Sequence, residues 1–281
     1  MLARSQPRPW RIDWGEILAP LRFSLPLYAN TLMNFVYQRA DTLLVVHFLG
    51  IGAGALFEMA KRVPGVLSRF FGAALIPYLP SVAELLRTRE RERAARLIQR
   101  ASIYTAFTGY AITLLTVAVQ KPLLGLLFTA DYTEAAPALG PLMIAACLAV
   151  QAGIMGQALI ALERPWTVMY VNIGLAALSL ALNAVLLPRM GLAGAGWSAV
   201  AASLFSYALQ RAAVARAGLA APAGRGLLVH LLFIAAYAVP LNLGGETLPA
   251  AAAAVVYVAG CLALRAVSVA ELRTLLRRGE A

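Results

Sequence analysis

Charge is scarce in this sequence. Lys, Arg, Asp and Glu together make up 13% of 281 residues, against about 25% in a soluble globular domain. Apolar residues make up 61%. A chain of this composition cannot clothe a folded body in water, and it reads as a polytopic membrane protein. Cysteine is nearly absent: Cys147 and Cys261 both lie inside apolar segments, with no CxxC and no histidine at ligand spacing. Free thiols and no metal site are expected. His47 and His230 stand alone near segment ends, where a packed or interfacial histidine is the simpler reading than a proton relay.

The sequence also lacks any catalytic constellation. There is no phosphate-cradling glycine loop with lysine, no HExxH and no GxSxG, and the carboxylates Asp131 and Glu134 share a solvated turn. No enzyme activity, ATP-driven step or cofactor is expected. The arginine-bearing opening, Met1 to Asp13, is not followed by an apolar run before Trp14 and Glu16, so it does not read as a cleaved signal peptide and the first hydrophobic segment is expected to be retained.

What is abundant is long apolar runs. Beyond the pair that begins at Leu21, they lie near Leu97 to Val119, Pro137 to Ile160, Trp166 to Leu187, Leu192 to Val214, Gly226 to Leu243 and Pro249 to Val267. Each is close to the ~20 residues a spanning helix needs, which gives about eight spans. Lys121 to Phe128 is too short to span and reads as an interfacial turn. The fold class is all-α, a polytopic membrane helix bundle. Of 24 basic residues, 18 fall before the first span, in alternate connections or in the tail, against two, Lys121 and Arg189, on the opposite side. The positive-inside rule then puts both termini in the cytoplasm and explains the net charge of +11 without nucleic acid.

The remaining cations, Arg39, Lys61, Arg62 and Arg69, sit within the stretch from Leu21 to Pro80, two apolar segments joined by Gly50, Gly52 and Gly54. On a helical wheel Asn30, Asn34, Tyr37, Gln38 and Asp41 share an arc of about 100°, and Arg39 points away. Gly54, Glu58, Lys61, Arg62, Gly65, Arg69 and Gly72 share another arc of roughly 100°. A hairpin turning near Ile51 sets Asp41 level with Lys61 and Arg62, roughly 15 Å below the turn and near mid-bilayer. Charges at that depth face a bundle interior or a water-filled cavity. Two readings stand: a structural pair of Asp41 with Lys61 or Arg62, with Glu58 and Arg62 as an i,i+4 pair, or a substrate-facing role.

Glu84 to Arg100 alternates charge at helical spacing and is expected to lie as a short amphipathic helix on the inner surface, held by anionic membrane lipids or simply solvated. From Arg189 to Ala202 small residues recur at Gly191, Gly194, Gly196, Ser198 and Ala202, a packing face.

Several stretches together resemble the polysaccharide-export flippases, the oligosaccharide flippase branch of the superfamily that also holds multidrug and toxin extrusion transporters. They are FSLPLYANTLMNFVYQRADTLLVVHFLG, GAGALFEMAKRVPG, the Pro77 to Arg100 segment, LLFTADYTEAAPALGPLMIAA, and ALERPWTVMYVNIGLAALSLALNAVLLPRMGLAGAGWSA. The resemblance implies a transporter of two six-helix lobes, often with two added helices, that moves undecaprenyl-pyrophosphate-linked oligosaccharide across the bacterial inner membrane by alternating access. This chain looks like the second lobe plus the terminal pair: a cytoplasmic segment 1–21, a six-helix lobe 22–218 and a helix pair with tail 219–281. A separate amino-terminal lobe or a second copy would complete it, or it is a truncated half. Peptidoglycan-precursor flippases share the layout.

Read on their own chemistry, Lys61, Arg62 and Arg69 are candidate pyrophosphate ligands. Asn30, Asn34, Tyr37 and Gln38 offer amide and hydroxyl partners for sugars, with Asn34 and Gln38 the chosen candidates. Asp41 and Glu58 are candidate ion-coupling groups or charge partners. A cation-coupled drug exporter would be expected to carry more internal carboxylates and fewer cations, and a non-functional remnant would leave the polar stripe exposed with no partner.

Overall fold

The computed structural model describes residues 14–128, 130–219, 224–242 and 247–264. Among these every regular element is a helix: α1 (Trp14–Leu49), α2 (Ile51–Ala74), α3 (Tyr78–Arg87), α4 (Arg91–Ala118), α5 (Gln120–Leu127), α6 (Ala136–Ala161), α7 (Pro165–Met190), α8 (Leu192–Val214), α9 (Gly224–Asn242) and α10 (Thr247–Ala263). A 3-10 turn, Ala130–Ala135, leads into α6, and a π turn, Ala215–Leu219, closes α8. Among the described residues five stretches are long and apolar enough to cross a membrane: Ile51–Arg87, Arg91–Ala118, Asp131–Ala161, Pro165–Met190 and Leu192–Leu219. Leu228–Tyr237 and Ala251–Ala263 are shorter apolar helices. The all-α membrane bundle read from composition is therefore what the chain forms.

Helix α6 is apolar on every side and lies at the centre, packed most extensively on α8 and also on α4, α2 and α3. An all-round apolar helix is stable only when surrounded, and buried residues run from Ala136 to Leu159. Helix α7 lies along α8 and α1, and α1 also packs on α2. The pair α9 and α10 pack on each other and on α4, where Phe233 stacks on Tyr110 at 4.0 Å. Outward-facing Leu25, Phe35, Ile234, Val255 and Val256 give the bundle an apolar exterior, as lipid requires.

The turns follow local backbone chemistry. Gly50 alone separates α1 from α2 with φ +90°, a conformation open to glycine, while space there is free. After α3, Arg89 N–H donates to Leu86 O and Glu90 N–H to Leu85 O; after α6, Glu163 N–H donates to Ile160 O and Arg164 N–H to Leu159 O. Both ends are the same left-handed cap built on a non-glycine residue, Arg89 and Glu163. Small residues on α8 do what their spacing implied: Gly196 approaches Pro141 and the Ala138 carbonyl of α6, and Gly194 approaches the Leu186 carbonyl of α7.

One expectation is corrected. Glu84 to Arg100 is not one amphipathic surface helix. The cap at Arg89 divides it into the end of α3, where Arg87 pairs with Glu84, and the first turns of α4, where Arg93 pairs with Glu90 and Arg96 with Glu92. The left-handed residue breaks the helical register that the charge alternation suggested. Lys121 to Phe128, read as an interfacial turn, falls almost wholly within the short helix α5, which ends where Phe128 N–H donates to Leu124 O.

Candidate functional site

The hairpin of α1 and α2 brings its polar groups level. The Thr42 hydroxyl of α1 donates to the Glu58 carboxylate of α2, and Lys61 Nζ donates to Thr42 Oγ1 at 3.2 Å and to Glu58 Oε1 at 3.4 Å. Lys61 Nζ also sits 5.3 Å from the Phe57 ring centroid, which favours a partly desolvated ammonium. Glu58 is thus held by Lys61 at i,i+3, and the expected i,i+4 pair with Arg62 is not among the ion pairs of the described residues.

Arg62 and Arg69 are exposed. They flank Val66, which is 65% exposed, on one stripe of α2, and a Cβ placed on Gly65 or Gly72 beside them would meet nothing within 4 Å. The stripe of Arg62, Val66 and Arg69 is exposed and carries two positive charges. Arg39 lies on a different side of α1, near the Phe35 ring. The side chains of Asn34, Tyr37 and Gln38 lie outside the described ones.

Asp41 turns inward. It is 7% exposed, and its Oδ1 accepts from Asn183 Nδ2 at 3.0 Å and from Ser179 Oγ at 3.4 Å, both on α7. Ser198 of α8 donates to Asn183 Oδ1 at 2.7 Å. The carboxylate of α1 is therefore bonded from α7, and α8 joins the chain one bond further on through Asn183, so Asp41 has polar partners on α7 rather than only across the hairpin.

Farther along the same seam Asn172 Nδ2 donates to Asn30 Oδ1 at 2.6 Å, and Gln210 Nε2 donates to Ser206 Oγ at 3.0 Å and reaches Asn172 Oδ1 at 3.5 Å. The two α1–α7 links, Asn30 with Asn172 and Asp41 with Asn183, have the same sequence offset, so α1 and α7 run parallel and in register. Asn30, of the polar stripe read from the sequence, thus has its partner on α7.

Sequence reasoning missed Asn172, Ser179, Asn183 and Gln210. The signal was present: on α7 the three polar residues fall at spacings of seven and four, one face of an otherwise apolar helix. Ser198 was read as packing alone.

Residues 1–137 match the family model described as polysaccharide biosynthesis protein. The match takes in α1 to α5 and the whole α1–α2 hairpin, and stops as α6 begins. No curated protein matches the chain. This is a helical membrane protein whose amino-terminal half is similar to polysaccharide biosynthesis proteins; α7 and α8, which complete the Asp41 cluster, lie beyond the matched residues.

Proposed function

We propose that the chain is one lobe of a flippase that moves undecaprenyl-pyrophosphate-linked oligosaccharide across the bacterial inner membrane by alternating access, in polysaccharide or lipopolysaccharide biosynthesis. The observation that carries this is the uncovered stripe of α2, with Arg62 and Arg69 exposed beside glycines that leave room. An arginine fork binds phosphate oxygens bidentately, and a pyrophosphate crossing hydrocarbon needs such partners. Lys61, already engaged with Thr42 and Glu58, sits at the edge of that stripe as a point charge. Asn34 and Gln38, on the α1 polar stripe, are proposed to contact the sugars.

A second lobe, from a separate chain or another copy, would cover the stripe and close the cavity. The arginines at the start of α4 would meet anionic lipid headgroups at the cytoplasmic face, with both termini on that side. No catalytic chemistry is involved.

Asp41 is proposed as the ion-coupling group: a buried carboxylate on α1 that is bonded from α7, itself tied to α8 through Asn183, can couple cation occupancy to the packing of those helices. That cluster also favours a second reading, a cation-coupled exporter of apolar drugs. The two separate in one export experiment. For the flippase, Arg62→Ala abolishes glycan export while the protein still inserts, and Arg62→Lys keeps part of it, having charge without the fork. For the drug exporter, Arg62→Ala leaves drug resistance intact and Asp41→Asn removes it.

A further inference from the structure

The face of α2 that carries Arg62 and Arg69 also carries a carboxylate. At 100° per residue Glu58 stands between Lys61, about 60° to one side of it around the helix, and Arg62, about 40° to the other. The Glu58 side chain is 43% exposed and that of Lys61 25%, so neither is closed off from the open face. A carboxylate one turn from two arginines opposes the binding of any anion there. What it does in the unliganded protein is occupy Lys61, and the hold is loose. Lys61 Nζ lies 3.4 Å from Glu58 Oε1, beyond the roughly 2.7–2.9 Å of a close charge-assisted bond, and the same oxygen already accepts from the Thr42 hydroxyl. Glu84 and Arg87 on α3 show the tight alternative, two bonds at 2.6 and 2.8 Å through both carboxylate oxygens. Thr42 reaches across from α1 and keeps Glu58 in place, while the ammonium is steadied by the Phe57 ring, whose centroid is 5.3 Å away.

We propose that Glu58 is a built-in counter-anion for Lys61, displaced when a pyrophosphate headgroup binds the stripe and reclaiming Lys61 as the headgroup leaves. A headgroup gripped by Lys61, Arg62 and Arg69 with no competitor would be slow to depart, and transport needs a site that binds and then lets go. Glu58 offers Lys61 an alternative partner throughout, so its effect falls on the rate of release. The single hydroxyl of Thr42 fixes the carboxylate at the distance from which it competes. This role deepens the pyrophosphate-binding reading proposed above and rests on it.

The experiment uses the purified full chain in phosphatidylcholine nanodiscs and farnesyl pyrophosphate as the probe, reading equilibrium affinity and the rate of dissociation. Wild type binds the probe, and Arg62→Ala weakens that binding; if the wild type binds none, or Arg62→Ala binds as well, the pyrophosphate reading falls and this inference with it. With Arg62-dependent binding established, Glu58→Gln is expected to tighten binding by about threefold or more, chiefly through slower dissociation. Glu84→Gln, which breaks the tight pair on α3, is expected to leave binding unchanged. In a Lys61→Gln background the gain from Glu58→Gln is expected to fall below about twofold, because no ammonium is left for the carboxylate to hold. Binding no tighter than wild type in folded Glu58→Gln overturns the counter-anion role and leaves Arg62 standing. A gain that persists undiminished without Lys61 overturns it too, since Glu58 then acts only as a repelling charge. Glu58→Asp, which keeps the charge on an arm too short to hold Lys61, gives the same comparison even where Glu58→Gln does not fold.

Discussion

Asp41 and Arg62 sit at the same depth of the hairpin yet have opposite environments. Asp41 is held by Asn183 and Ser179, and Arg62 is exposed on the other helix. Removing the carboxylate while keeping its shape should therefore cost little stability. Asp41→Asn is expected to change unfolding free energy by no more than about 1 kcal/mol, whereas Asp41→Ala, which removes the acceptor of the shorter of the two bonds that Asn183 Nδ2 makes, should cost about 1–3 kcal/mol. Thermal unfolding of the detergent-solubilised variants measures both. The double variant Asp41→Asn with Arg62→Gln, which would restore function if the two were merely a structural ion pair, is expected to fold and to remain inactive in export. Restored export would return the pair to a structural role. The Thr42, Glu58 and Lys61 cluster predicts a third outcome. Thr42→Val should release Lys61 from its hydroxyl partner and lower export by severalfold without loss of inserted protein, checked by export and by membrane abundance together.

At the scale of elements, the structure depends on close approaches between helices. A Cβ on Gly194 would lie 2.4 Å from the Leu186 carbonyl oxygen, which is backbone and cannot swing aside, whereas one on Gly153 would meet nothing. Gly194→Ala is expected to destabilise the α7–α8 hairpin by roughly 1–3 kcal/mol or more, and Gly153→Ala to leave it unchanged. Fluorescence-detected size-exclusion chromatography after heating compares the two; equal melting would contradict this packing. Much of this level was legible in the sequence. Apolar runs of spanning length placed α4, α6, α7, α8, α9 and α10, and Gly50 placed the first hairpin, because length and glycine conformation act locally. The division of Glu84–Arg100 was not legible, since Arg89 takes a left-handed cap that glycine or asparagine would ordinarily signal. The partners of Asp41 were missed for a different reason. Nothing local says that α1 will lie parallel to α7 more than a hundred residues later, so the polar faces of both helices could be seen, but not their pairing.

For the whole molecule, the alternation of helices sets the two sides of the membrane. A reporter inserted at the α6–α7 turn, beside Arg164, should report cytoplasm, and one at the α7–α8 turn, beside Gly191, the opposite side. Either signal reversed would break the orientation drawn from the arginines.

The central claim, that the α2 stripe receives the pyrophosphate headgroup of a lipid-linked oligosaccharide, is tested most directly by photo-cross-linking. Val66 lies between Arg62 and Arg69 and is 65% exposed; Val255, on α10, is 68% exposed and far from them in the chain. With a photoreactive amino acid at each position in turn, and polyprenyl-pyrophosphate-linked oligosaccharide supplied in nanodiscs, the account predicts labelling from position 66, lost when Arg62→Ala is added, and little from position 255. Equal labelling from both positions, or labelling at 66 that persists without Arg62, would contradict it.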